Sequence, residues 1–143
     1  MESTTSLIVN TDGGSRGNPG KAGIGVVIKN KSGKILCEHG EKIGIATNNI
    51  AEYRAVLWAT SWIIDYMKKS KGVSGIDFFL DSLLVVQQLN GIYKIKNNDL
   101  RTISFSIKEN QALLKIPIRY AHVPREQNKE ADVMVNKALD NLL

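Results

Sequence analysis

NIAEYRAVLWATSWIIDYMKK, residues 49–69, is where this 143-residue chain changes its period. Ile50, Tyr53, Leu57, Thr60, Ile64 and Met67 recur at steps of three and four, which predicts an amphipathic helix. Asn49 with Glu52 three residues on resembles a capping box, asparagine standing in for serine. Upstream, residues 7–12, 23–29 and 34–43 have strand character. They are separated by the glycine-rich stretch GGSRGNPG (13–20) and by turn formers at 30–33. Three neighbouring strands with short connections predict an antiparallel meander. Downstream, the expectations are a buried strand at 76–80, helices at 83–89 and 99–114, a strand at 116–121 and a closing helix at 128–142. The sum is a mixed α/β layer fold rather than a sandwich or a bundle.

Length and composition fit one soluble domain over residues 1–143, with 43% hydrophobic and 23% charged residues. A formal charge of +5 suits a polyanionic partner. Cys37 is the only cysteine, which excludes a disulfide framework and zinc sites built on cysteine pairs. MESTTSLIVN lacks the basic and long apolar regions of a leader, and no stretch approaches the roughly 18 apolar residues of a membrane span. A cytoplasmic monomer is expected.

Four acidic residues stand at the ends or turns of four different segments. They are Asp12 in TDGGSRGNPG, Glu52 in TNNIAEYRA, Asp81 closing IDFFLDS, and Asp132 in EQNKEADVMVNKAL. Brought together, they form an all-oxygen cage of the kind Mg²⁺ or Mn²⁺ prefers over zinc. Paired hard cations bridged by carboxylates cleave phosphodiesters, so the set points to a nuclease. Each residue also has a plain structural reading. Asp12 suits a hairpin turn, Glu52 a capping box and Asp81 a helix N-cap. Asp132 lies near a buried helical face and needs a partner or a metal.

The glycine-rich stretch fits neither a phosphate loop nor a dinucleotide fingerprint, because the next segment is a strand. It reads as a wide turn with Asp12 at its entrance and Asn18 at its far side. His122, in AHVPREQNKEAD, ends the last strand beside Pro124 and suits proton transfer. Asn128 either contacts the attacking water or caps the final helix. His39 reads as structural, and Trp58 and Trp62 as packing residues. Tyr93, Lys94, Lys96 and Arg101 form either a backbone grip or a solvated linker.

TDGGSRGNPG, TNNIAEY, DFFLDS and HVPREQNKEAD, in that order and spanning nearly the whole chain, resemble type 1 ribonuclease H of the bacterial and archaeal branch. The resemblance implies a five-stranded mixed sheet, its first three strands antiparallel, with helices on both faces. It implies two Mg²⁺ ions, with Mn²⁺ as a substitute, held by Asp12, Glu52, Asp81 and Asp132. The implied reaction is cleavage of the RNA strand of RNA/DNA hybrids, leaving 5′-phosphate and 3′-hydroxyl ends. His122 matches the family's mobile histidine and Asn128 its neighbouring polar residue. Gly13, Gly14 and Asn18 match elements that touch RNA sugar hydroxyls, and Thr47, Asn48 and Asn49 match a polar trio in the groove. Two departures stand out: Leu83 replaces a glutamine common in the family, and NGIYKIKNND is short and only mildly basic. Some members without a long protrusion also accept double-stranded RNA, so that substrate stays open. So does a non-catalytic hybrid-binding module, although concentrated negative charge ill suits a pure binder.

Overall fold

The computed structural model describes residues 5–143. The reading of residues 1–4 as free of a leader lies outside them. The chain runs β1 (Thr5–Gly17), β2 (Gly20–Lys29), β3 (Ile35–Ala46), α1 (Asn48–Lys69), β4 (Val73–Leu80), α2 (Leu83–Leu89), α3 (Asn98–Leu114), β5 (Ile118–His122), a 3-10 turn at Arg125–Gln127, and α4 (Lys129–Leu139). The five strands form one sheet in the order β3-β2-β1-β4-β5. β1–β2 and β2–β3 pair antiparallel, whereas β1–β4 and β4–β5 pair parallel. This is the expected mixed sheet with an antiparallel first half. No described helix is long and apolar enough to cross a membrane.

The two faces are covered differently. On one, α1 buries Tyr53, Val56 and Ile63 against Leu7, Val9, Ile24, Val26 and Phe78, and α3 adds Leu100 and Ile107. At roughly 1.5–3 kcal/mol for each large apolar side chain removed from water, this cluster is the main stabilising mass. On the other face, α4 lies unusually close to the sheet. A Cβ on Gly25 would collide with the carbonyl oxygen of Ala131, and one on Gly40 would press on the carbonyl of Met134. Gly25 and Gly40 are cross-strand partners, so they form a bare patch on which the helix backbone rests.

The glycine-rich stretch departs from the expected wide turn. β1 continues through Gly17 and pairs as far as Gly17 opposite Gly20, leaving Asn18 and Pro19 as the turn. Gly17, at φ 100°, and Gly20 serve that turn, whereas a Cβ on Gly13 would meet the backbone of Ala51 and Glu52 in α1. The cap of α1 also differs, since Thr47 and not Asn49 is the N-cap, its Oγ1 accepting from Ile50 N at 3.2 Å. Ser82 rather than Asp81 caps α2. His39 stacks on Trp58 with ring centroids 3.8 Å apart, and Trp62 stacks on Tyr66, as packing roles require.

Candidate active site

The parallel pairing of β1 with β4 runs as far as Asn10 opposite Phe79. Beyond it the strands part, and an open cleft of about 550 Å³ forms between their carboxyl ends, the start of α1 and the inner face of α4. Asp12 enters from β1, Glu52 from the second turn of α1, and Asp81 from the residue following β4. One oxygen from each of these three carboxylates lies within 4.8 Å of the others. Asp132, in the first turn of α4, lines the same cleft and acts on Asp12 through its charge, but it stands outside that tight trio.

The trio is electrostatically costly. Asp12 is 8% exposed and Glu52 is 5% exposed. Burial pushes the Asp12 carboxyl up to about 7, opposed by its hydrogen bond with Glu52 and reinforced by the charges of Asp81 and Asp132. Glu52 is held well above the usual carboxylate range, first by burial and then by the charge of Asp12. Its Oε1 accepts from the backbone N–H of Gly13, so it does not close a capping box on its own helix. Its Oε2 is buried without a hydrogen-bond partner. A carboxylate with an unpartnered buried oxygen, gathered with two further carboxylates, fits a hard divalent cation, which prefers oxygen ligands and would offset the repulsion.

The polar residues divide. Gly13, Gly14, Asn48 and Asn49 line the cleft. Asn48 Oδ1 accepts from Ser15 N at 2.8 Å, while Asn18 Oδ1 accepts from Asn48 N at 3.1 Å, fastening the hairpin to the start of α1. Each amide oxygen thus accepts one backbone N–H, and Asn18 is exposed and does not line the cleft. Thr47 serves as the α1 cap. Asn128 differs most from the expected cap: it is 1% exposed, makes no side-chain cap, donates its Nδ2 to the Thr11 carbonyl and accepts from Asn10 Nδ2 at its Oδ1. His122 is exposed and does not line the cleft, although it pairs in register with Leu80, the residue before Asp81.

Arg16, Ser82 and Arg125 line the cleft without having been singled out from the sequence. Arg16 is held by Asp140 at 2.6 Å and by Asn136 at 3.3 Å. Arg125 is placed by the 3-10 turn that Pro124 opens, and the Pro-Arg pair just after His122 was the available signal. Away from the cleft, Tyr93, Lys94, Arg101, Phe105 and Lys108 surround a shallow groove between α2 and α3.

A family model described as reverse transcriptase-like matches residues 10–138. The ribonuclease HI of Halobacterium salinarum is 39% identical over 130 residues, which is 91% of this chain and 62% of that protein. A bifunctional protein of Mycobacterium tuberculosis is 37% identical over 135 residues, covering 94% of this chain. The chain spans 35% of that relative's length. Among solved structures, the RNase H1 of Halobacterium salinarum superposes with a TM-score of 0.86 at 38% identity, covering 95% of this chain and 98% of that one. LC11-RNase H1 in complex with an RNA/DNA hybrid gives 0.87 at 38% identity, again covering 95% and 98%. The fold, the order of the motifs and these likenesses agree, and the chain belongs to the type 1 ribonuclease H family.

Proposed function

We propose that the protein is a metal-dependent endoribonuclease that hydrolyses the RNA strand of RNA/DNA hybrids. The observation that carries this reading is the carboxylate trio with its unpartnered Glu52 oxygen. A structural role would not gather repelling, desolvated carboxylates in an open cleft. The hybrid held by LC11-RNase H1 supports the substrate class.

Asp12, Glu52, Asp81 and Asp132 are the residues that would hold Mg²⁺, two ions per site, with Mn²⁺ as a substitute. The chemistry such a pair supplies is activation of a water for in-line attack and stabilisation of the departing 3′ oxygen, giving 5′-phosphate and 3′-hydroxyl ends. Gly13 fixes Glu52 through its N–H to Oε1, and Oε2 is left without a hydrogen-bond partner. Asn48 and Asn49 face the cleft, and Asn48 has its amide oxygen engaged, so it presents its NH₂ as a donor to sugar and groove acceptors. Gly13 and Gly14 line the cleft and are assigned contacts with RNA sugar hydroxyls through their backbone. Asn18 contributes by holding Asn48, and Thr47 by starting α1. His122, level with Leu80 at the same edge of the sheet, is assigned proton transfer or product release. A monomer in a reducing cytoplasm fits the single cysteine, Cys37.

The test is cleavage of an end-labelled RNA/DNA hybrid with Mg²⁺ or Mn²⁺, with EDTA and Asp81→Asn as controls and matched double-stranded RNA alongside. Metal-dependent cutting of the hybrid RNA, lost in the variant, is expected; the second duplex sets the breadth of substrate. Absence of cutting by folded, metal-supplied protein would overturn the assignment in favour of a binding module.

A further inference from the structure

The seam between β1 and α4 holds a buried amide that the cleft itself does not use. Asn128 Nδ2 donates to the carbonyl of Thr11 at 2.9 Å, and its Oδ1 accepts from Asn10 Nδ2 at 3.0 Å. Its backbone N–H donates to the carbonyl of Arg125 at 2.9 Å, and its own carbonyl accepts from Asp132 N–H at 3.2 Å. One residue therefore bonds to the strand one position before Asp12 and to the helix at Asp132 itself.

The place of this clamp is telling. Thr11 is the first residue of β1 past the end of its pairing with β4, where a backbone carbonyl needs a new partner. Asn128 supplies it, and the same side chain ties down α4. A neutral amide suits the position. An anion would add to the repulsion between Asp12 and Asp132, and a cation would draw one of them away from the cleft. The contact acts beside a tight packing contact, since a Cβ on Gly25 would collide with the Ala131 carbonyl and α4 already rests on the sheet.

We propose that Asn128, held by Asn10, is a positioning residue that sets the spacing of Asp12 and Asp132 and thereby the affinity of the site for its divalent cation. The inference rests on the cation-dependent reading above. It separates from a purely structural role by what each predicts for the folded variant. A structural role lowers the melting temperature alone, whereas a positioning role lowers cation affinity and kcat while leaving KM for the hybrid in place.

The experiment is Mn²⁺ titration of the full chain, followed by the electron paramagnetic resonance of the free ion, for wild type, Asn128→Ala and Asn10→Ala. Thermal melts, kcat and KM accompany it. Asn128→Ala is expected to weaken Mn²⁺ binding about tenfold, with KM within about twofold of wild type and kcat reduced. Asn10→Ala, which leaves the bond to Thr11 in place, is expected to weaken it about threefold. It decides the matter if Asn128→Ala fails to fold. Wild-type Mn²⁺ affinity in the folded variants overturns the inference alone. A wild-type protein that takes up no Mn²⁺ overturns the inference and the cation-dependent reading together.

Discussion

Stripped of divalent cations, the protein should become less stable as pH rises, the reverse of ordinary acid denaturation. The cause is Asp12, whose carboxyl is moved from 3.8 to about 7 by burial, with Asp81 and Asp132 adding to it. Because the folded state holds this proton more tightly than the unfolded chain does, its contribution is fully present below about pH 4. It is lost as pH rises towards about 7. Over the whole window the shift is worth about 4 kcal/mol, and between pH 5 and pH 8 about 3 kcal/mol. For a chain of this length that is a fall in Tm on the order of 10 °C. Glu52, also raised, acts in the same direction. The assay is thermal unfolding in EDTA from pH 5 to pH 8, repeated with Mg²⁺. Cation bound to the carboxylates favours their ionised forms, so Mg²⁺ should restore most of the loss at pH 8 and little at pH 5. A Tm in EDTA that is flat or rises over this range would refute the reasoning. So would Mg²⁺ stabilisation of equal size at both ends.

Three further outcomes follow from particular contacts. Asp81→Asn should abolish cleavage of the labelled hybrid while leaving Tm unchanged or raised, because loss of its charge relieves Asp12 and Glu52. His122→Ala should lower kcat much less than Asp81→Asn, and equal losses in single-turnover assays would remove His122 from the periphery and place it among the essential groups. Gly25→Ala should destabilise by about 3 kcal/mol in urea unfolding, since its Cβ meets the Ala131 carbonyl and must push α4 away from the sheet. Wild-type stability there would show that α4 does not bear on the bare glycine patch.

The sequence made α1 legible because a burial stripe at helical spacing survives whatever tertiary contacts are added, and residues 49–69 lie within the observed α1. The mixed sheet and the gathering of Asp12, Glu52 and Asp81 were legible for a different reason: the motifs carry their own order. What failed was local. Gly13 and Gly14 read as turn residues because a glycine's usual reason is backbone freedom. Here Gly13 is required by the nearness of α1, a contact between segments 39 positions apart along the chain. Asn128 before a helix looks like a cap, and nothing in its neighbours reveals that its amide turns inward to residues 10 and 11. Arg16 and Arg125 were not singled out, because folding is what sets them at the rim of an acidic cleft.

The convergence of the carboxylates has a topological cause. β1, β4 and β5 are parallel neighbours, so their carboxyl ends open on the same edge of the sheet, where crevices form in α/β folds. Asp12 lies just past the end of the β1–β4 pairing, Asp81 follows β4, and His122 ends β5. Neither helical carboxylate follows from that rule. Glu52 needs α1 to sit against Gly13, and Asp132 needs α4 to sit against Gly25, so each requires a glycine on the facing strand. The sheet thus fixes two carboxylates through pairing, and the helices add two through close packing. Strand pairing holds Asp12 in the β1–β2 ladder and leaves Asp81 one residue past the β4–β5 ladder, whereas α4 is placed by packing its backbone on the glycine patch. The amide of Asn128 and the ion pairs Arg16–Asp140 and Lys29–Glu130 join α4 and the turn just beyond it to β1 and β2.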